Sequence, residues 1–291
     1  MSRIRQAELI IGPLADYEGK GNTNEALRIY SSGRPQDIRI QFSVTKTISG
    51  ALNELNLSVT NLKESTRNRI RGHLTRVEIK AGYLEGERAG LRLVSTGGVM
   101  SSMPVRSGPD IVTNVTVLDG LGGTTRGVYR RSFGGNVAVN EVIKDIAKSM
   151  PGVELGKVDV PGKLGASGRT FSGRAAELLD KLADQWGFSW SVQDGVFQAI
   201  EDTRSFSTIH VLSYRDGSLR EVRPLLSGPM QIQTGVEIVG ALNPDIRPGE
   251  RVRVESSVNK SLDGTYTVHE HDLAGDTHGD EWSSTLRSLY L

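Results

Sequence analysis

The 291-residue chain contains no cysteine. That excludes disulfides, thiolate metal sites and a cysteine nucleophile, and it fits a reducing compartment. Aromatic residues make up only 5% of the chain, so a stacking platform for single-stranded nucleic acid would be sparse. Charge of either sign is barely in excess: 35 Lys and Arg against 34 Asp and Glu leave a formal +1. No overall field therefore favours nucleic acid or an anionic membrane as the main partner. Long uncharged apolar runs are missing too, and the opening "MSRIRQAELIIGPL" breaks its short apolar patch at Gly12-Pro13. The expectation is a soluble protein made in a cytoplasm, with neither signal peptide nor membrane anchor.

Nucleophile and phosphate motifs are also missing. No G-x-S-x-G, H-E-x-x-H or G-x-x-x-x-G-K-[ST] occurs. "GLGG" (Gly120 to Gly123) is followed by Thr-Thr-Arg and strand-like sequence, so it reads as a mobile loop and not as a phosphate cradle.

What is present is β pattern. In "DIRIQFSVTK", Ile38, Ile40, Phe42 and Val44 alternate with Arg39, Gln41, Ser43 and Thr45, the period of a strand with one buried face. Leu55, Leu57 and Val59 repeat it, as do Val77, Ile79 and Ala81. "LRL" and "DIVTNVTV" follow, with turns expected at Gly97-Gly98 and Ser107-Gly108-Pro109. Between Asn61 and Arg71 a polar segment suits one or two helical turns.

The pattern changes in the middle. Val139, Val142, Ile143, Ile146, Ala147 and Met150 recur at helical steps before Pro151-Gly152. A second helix carries Ala175, Leu178, Leu179, Leu182 and Trp186, with Ser172 as its expected N-cap and Gly187 as its C-terminal stop. The next segment, "FSWSVQDGVFQAI", reads as a hairpin turning at Asp194-Gly195. From about residue 205 strands return, with Val236, Ile238, Val252 and Val254 on apolar faces. The length suits two or three domains. The fold class is mainly β with an α+β insert.

Three of the five histidines fall in "TVHEHDLAGDTHGDEW": His269, His271 and His278. Two apart on a strand, His269 and His271 would share a face, and Asp272, Asp276 or His278 could complete a tetrahedral metal site. "AGDTHGDE" looks too flexible for ligand precision, so a solvated hairpin is the stronger reading. Glu85 and Glu87, and Asp276, Asp280 and Glu281, are carboxylate groupings of the kind a glycosidase uses. So many acids also produce such neighbours by chance. Arg126, Arg130 and Arg131 flank Tyr129 and could grip single-stranded nucleic acid, but a solvated or inter-subunit face is favoured.

Taken in order, several stretches resemble a family: "LRIYSSGRPQDIRIQFSVTKTISGALNELNLSVTNL", "AGY" at Ala81 to Tyr83, "DIVTNVTVLDG", "IAKSMPG", "ELLDKLADQWGFSWSVQDGVFQAI" and "GALNPDIRPGERVRVES" with the histidine stretch. Their order is similar to the baseplate hub proteins of phage tails, of the late control protein D type. The resemblance implies two tail-tube-like β-barrel domains, at 1–133 and 205–291, with a small α/β domain at 134–204 between them. It implies a homotrimeric ring in the tail baseplate of the virion that adapts a six-fold tail tube to a three-fold spike around a channel. Implied partners are the tail tube or distal tube protein, the spike or tip protein, baseplate wedge proteins and the tape measure protein. No catalytic, cofactor or metal site is implied, and no membrane or sequence-specific nucleic acid. Gly264 to Leu291 would be the last hairpin, with Gly275 and Gly279 in its turn, Trp282 anchoring the returning strand and the histidines on an exposed or inter-protein face. A cell-wall hydrolase, or a module binding glycan or nucleic acid, is the alternative.

Overall fold

The computed structural model describes residues 4–13, 26–50, 52–70, 75–84, 89–227, 232–256 and 258–289. The chain opens with strands β1 (Arg5–Pro13), β2 (Leu27–Ser31), β3 (Ile40–Thr47) and β4 (Glu54–Thr60). A short helix α1 (Glu64–Arg69) leads to β5 (Thr75–Tyr83), β6 (Gly90–Ser107) and β7 (Asp110–Leu118). The middle of the chain holds α2 (Leu121–Arg126), β8 (Val128–Phe133), α3 (Val139–Ala147), β9 (Glu154–Asp159), β10 (Arg169–Arg174), α4 (Ala175–Trp186), β11 (Phe188–Gln193) and β12 (Val196–Glu201). Strands then return as β13 (Ile209–Ser213), β14 (Leu219–Ser227), β15 (Ile232–Ala241), β16 (Arg251–Glu255), β17 (Gly264–Thr267), β18 (Glu270–Asp276) and β19 (Trp282–Leu289).

The fold is mostly β, with the helices concentrated in the middle, as the alternating pattern predicts. Every apolar residue named above in the alternating pattern of β3, β4 and β5 is buried, except Ile38, which is partly buried against the same core. The strands do not form two closed barrels. Eleven of them make one sheet in the order β14-β15-β19-β18-β3-β4-β7-β6-β5-β1-β2. The join is the antiparallel pairing of β18 with β3, which sets Leu273 opposite Val44 and Gly275 opposite Phe42. Residues from β1 at one side to Trp282 of β19 at the other share a single core, so the sheet curls around it. A second core lies between α3, α4 and the β11–β12 hairpin, and it takes in Tyr129 of β8. A third lies under β13 to β16, with Leu212, Ile238 and Val252.

Several local expectations change. Gly97 and Gly98 lie inside β6, not at a turn. A Cβ on Gly97 would sit 2.4 Å from the Leu118 carbonyl oxygen, so glycine permits the close approach of β6 to the end of β7. Gly120 to Gly123 opens helix α2 instead of a loop, because Gly123 packs tightly beneath Val153 and Met150. Ser172 lies in β10 and caps nothing; α4 instead starts after extended Arg174, and Ala175 N–H donates to Gly127 C=O at 2.9 Å. Gly187 does end α4 in the left-handed conformation, at φ 62°. Asp194 and Gly195 both have positive φ, 55° and 83°, as a two-residue hairpin turn requires.

Gly275 serves packing and not the turn. A Cβ there would lie 2.4 Å from Phe42 Cζ and 2.9 Å from Trp282 Cε3. Those two rings meet edge to face at 5.7 Å, and Trp282 is fully buried. Replacing Trp282 with Ala is expected to cost about 3–5 kcal/mol, as large-to-small changes of buried aromatics do. Urea denaturation of the two proteins measures it.

Candidate functional site

The histidine stretch is not one strand. The chain leaves β17, paired with β16 in a three-stranded sheet, and enters β18 in the large sheet, with Val268 and His269 at the break. The three imidazoles therefore diverge. His269 is half-buried, and its Nδ1 accepts the Leu289 N–H at 3.1 Å. His271 is fully buried, and its Nδ1–H donates to Ile246 C=O at 3.0 Å. His278 is exposed at the hairpin tip, where Nε2–H donates to Arg34 C=O at 3.0 Å. The expected exposed histidine face is thus corrected: only His278 is exposed. Among the described residues no group of three His, Cys, Asp or Glu is placed to hold a metal ion.

The carboxylates are also accounted for. Asp276 accepts from Arg39 Nε at 3.1 and 3.2 Å and from Gln41 Nε2 at 3.1 Å, and against the upward push of burial the Arg39 guanidinium and the backbone N–H groups of His278 and Gly279 hold its pKa below the ordinary value. Asp272 accepts from Thr45 Oγ1 at 2.7 Å and from Arg287 at 2.9 Å. Glu281 is exposed and bonds Ser283 Oγ, and Asp280 is exposed. Glu85 and Glu87 lie outside the described residues. Tyr129, placed by sequence among Arg126, Arg130 and Arg131, is buried and bonds Asp145, so it offers no stacking face.

A different cluster joins the middle of the chain to the large sheet. Lys46 of β3 is fully buried and donates to both carboxylate oxygens of Asp194, each at 2.8 Å. Asp194 sits in the β11–β12 turn, whose backbone N–H groups donate to Asp119 at 2.5 Å (Asp194) and 2.9 Å (Gly195). Asn53 donates to Val192 C=O at 2.8 Å, and Gln193 Nε2 donates to Thr47 C=O at 2.7 Å. Buried polar groups are tolerable only when partnered in this way. The sequence carried one signal for this cluster. Ile40, Phe42 and Val44 are followed by Lys46 at the next inward position, where a strand with an ordinary core would have another apolar residue.

Burial and the neighbouring Asp194 charge raise the Asp119 pKa from 3.8 to about 7. Burial, with Lys46 and His210 nearby, lowers His271 from 6.5 to about 3. These two shifts act oppositely on stability. Between about pH 4 and 7 folded Asp119 holds a proton that the unfolded chain has lost, so its contribution is full below that window and is lost as pH rises through 7. Between about pH 3 and 6.5 unfolded His271 binds a proton that the folded ring refuses, so its contribution is present above 6.5 and lost as pH falls. Relative to the parent chain, Asp119→Asn should therefore make the urea midpoint rise more steeply with pH from 4 to 7. His271→Gln should make it fall more steeply. Lys46→Met, which leaves Asp194 buried and unpaired, should cost about 3–5 kcal/mol at neutral pH, measured the same way.

The other notable surface is the uncovered side of the large sheet. Register places Arg223, Glu237, Arg287 and Glu270 in one row from β14 to β18. Asp272, Thr45 and Glu54 follow in the next row, and Ser43, Asn56 and Thr116 in another. These side chains bond each other across strands: Ser58 to Asn114 at 2.7 Å, Thr45 to Asp272 at 2.7 Å, and Arg223 Nε to Glu237 at 2.7 Å. The opposite side of the same strands holds Val44, Leu57, Val115, Ile238 and Leu286, all buried. Seven neighbouring strands, β14 to β7 in the sheet order, thus present a largely polar face backed by apolar cores, while the same face of β6 carries exposed Met103 and Val105.

Solved structures place this architecture in a class. The fold is similar to the tail protein from Neisseria meningitidis MC58, with a TM-score of 0.62 and 11% identity over 98% of this chain and 96% of that one. It is similar to the 43 kDa tail protein of prophage MuSo2 from Shewanella oneidensis, with a TM-score of 0.59 and 11% identity over 99% and 97%. It is also similar to the E. coli c3393 protein, a component of the type VI secretion system, with a TM-score of 0.59 and 10% identity over 90% and 76%. A search of curated proteins found no match. The fold is thus that of phage tail proteins and their secretion-system counterparts. Within that class the chain belongs to the baseplate hub gp41 family, whose family model matches residues 26–286. Its place is the tail baseplate of the virion.

Proposed function

We propose that three copies of this chain form the central hub ring of a phage tail baseplate, adapting a six-fold tail tube to a three-fold spike around a channel. The chain works by geometry and not by chemistry. It consists of a β-rich unit at 1–133, a small α/β unit at 134–204 and a second β-rich unit at 205–291. Three chains then supply six β-rich units, the number a six-fold tube requires.

The observation that most supports this reading is the one-sided sheet. A face rich in Ser, Thr, Asn and mutually bonded charged side chains, running from β14 to β7, suits the lining of a water-filled channel. The apolar residues behind it are committed to the chain's own cores. The ring contact is heterologous, because only a head-to-tail contact whose rotation closes gives three-fold symmetry. The partners on this reading are the tail tube or distal tube protein above, the spike or tip protein below, wedge proteins around the rim and the tape measure protein within the channel.

Light scattering on the purified chain, followed by negative-stain imaging, tests it. The expected result is a particle of three times the 31.6 kDa chain mass with a central pore. A chain that stays monomeric even when mixed with its tube and spike proteins would overturn it.

A further inference from the structure

A strand at the end of a sheet presents unpaired N–H and C=O groups, and proteins guard such edges with proline, charge, shortness or irregular pairing. Most edges among the described residues are guarded in this way. β14 carries Pro224 and two register shifts. The half of β6 that overhangs β5 carries Pro104, opposite Thr113 of β7. β9 carries Lys157, β17 is only four residues long, and β2 carries Arg28 in an ion pair with Glu8. β8 and β10 are edged with arginine, and the Val192 carbonyl of β11 is taken by Asn53.

β13 is different. Its sequence, "IHVLS", contains no proline and no carboxylate, lysine or arginine. It pairs in parallel with β16 without a register shift, from Ile209↔Arg251 to Ser213↔Glu255. Among the described residues no strand follows it on its other side in that sheet. Arg251 N–H donates to Thr208 C=O at 3.0 Å, so residues 208, 210 and 212 turn their backbone groups toward β16. Ile209 and Val211 therefore turn theirs outward. Ser213, in the same phase, gives its N–H to Ser218 Oγ at 2.9 Å, which closes the free stretch. The strand is also held from beneath. His210 bonds Glu250 at 2.9 Å, and Leu212 is buried in the third core.

The side chains beside this edge carry a signature. Ile209 and Val211 are 48% and 47% exposed, two aliphatic side chains next to each other on one face of the strand. Register sets Arg251 and Arg253 beside them on the same face. Arg253 is exposed and has no ion pair among the described residues, and Arg251 reaches only the Ser207 carbonyl, at 3.3 Å.

We propose that β13 is a strand-addition site for an extended segment of another protein of the baseplate. The segment pairs with the outward N–H and C=O groups of Ile209 and Val211. Its side chains on the exposed face are apolar over those two residues and acidic where they reach Arg251 and Arg253. A second copy of this chain does not fit. Two β13 edges meeting each other form a two-fold contact, which a three-fold ring does not contain, and the chain's other described edges are guarded. The inference rests on the hub reading above.

Val211→Pro removes an outward N–H and no bond to β16, and Val211→Lys puts a charge on the edge without altering the backbone. Both variants should keep the parent's thermal midpoint and particle mass. In tails assembled with the parent chain, the Ile209 and Val211 amides should exchange with deuterium about tenfold or more slowly than in the isolated chain. Tails assembled with either variant should lose that protection at the Ile209 amide, which both variants keep, along with one other baseplate protein. Equal exchange rates in isolated chain and tail, or variant tails of unchanged composition, would overturn the proposal while leaving the hub reading intact. Protection already present in the isolated, self-associated chain would overturn it in favour of a second copy. Tails that lack even the parent chain would overturn the hub reading, and this inference with it.

Discussion

The structure depends on one pairing, that of β18 with β3. Residues near opposite ends of the chain meet there in a fixed register, with Gly275 against Phe42 and His271 against Lys46. A slip by one residue would turn Leu273 and His271 to water and carry Glu270 and Asp272 into the core. The glycine enforces the register sterically, because only a residue without Cβ fits between Phe42 and Trp282. Through this contact the two β-rich parts share one sheet, and the polar rows of one continue those of the other.

The same strand fixes the third part of the molecule. Lys46 leaves β3 on its inward side and meets Asp194 in the turn of the β11–β12 hairpin, which Asp119 holds by its backbone. A buried charge cluster of this kind is a poor source of net stability, because its desolvation is expensive. What it supplies is specificity, since only one placement of the hairpin satisfies Lys46, Asp119, Asn53 and Gln193 together. Close to it, across the β3–β18 pair, His271 stays neutral. Two groups with opposite pH responses are thus buried near each other, and the folded chain gains a flatter pH response than either would give alone.

For a baseplate hub these features have a common logic. In the ring we propose, each chain must keep its shape while other proteins load it from several sides. Rigid attachment of the middle unit, a sheet shared by both β-rich parts and guarded edges all serve that end. Along the polar face from β14 to β7, side chains such as Thr45 and Asp272, or Ser58 and Asn114, satisfy one another laterally. Among the described residues, the β13 edge, with neither proline nor charge, lies on the separate three-stranded sheet and outside that face's strand order.

Much of the fold was legible from period alone. Alternation in β3, β4, β5 and β16, the apolar stripes of α3 and α4, the Asp194-Gly195 turn and the stop at Gly187 are local properties, set by how a backbone of given φ and ψ presents its side chains. The order of segments also pointed to the hub family. The histidines were misread because their placement is not local. His269 and His271 look like neighbours on one strand, yet His269 sits where the chain changes sheets and only His271 lies inside β18. Gly275 looked like turn material because its packing partners are Phe42, far back in the chain, and Trp282. Lys46 was visible as a charged residue in apolar phase, but its partners Asp194 and Asp119 lie in other elements, and only tertiary structure brings them together. The sequence by itself determined the strand or helix character of β3, β4, β5, α3 and α4 and the face that each one buries. The tertiary structure alone decided that the β-rich parts merge into one sheet, which polar residues are buried and paired, and which edge remains open, because each of these depends on residues that meet only when distant strands pair.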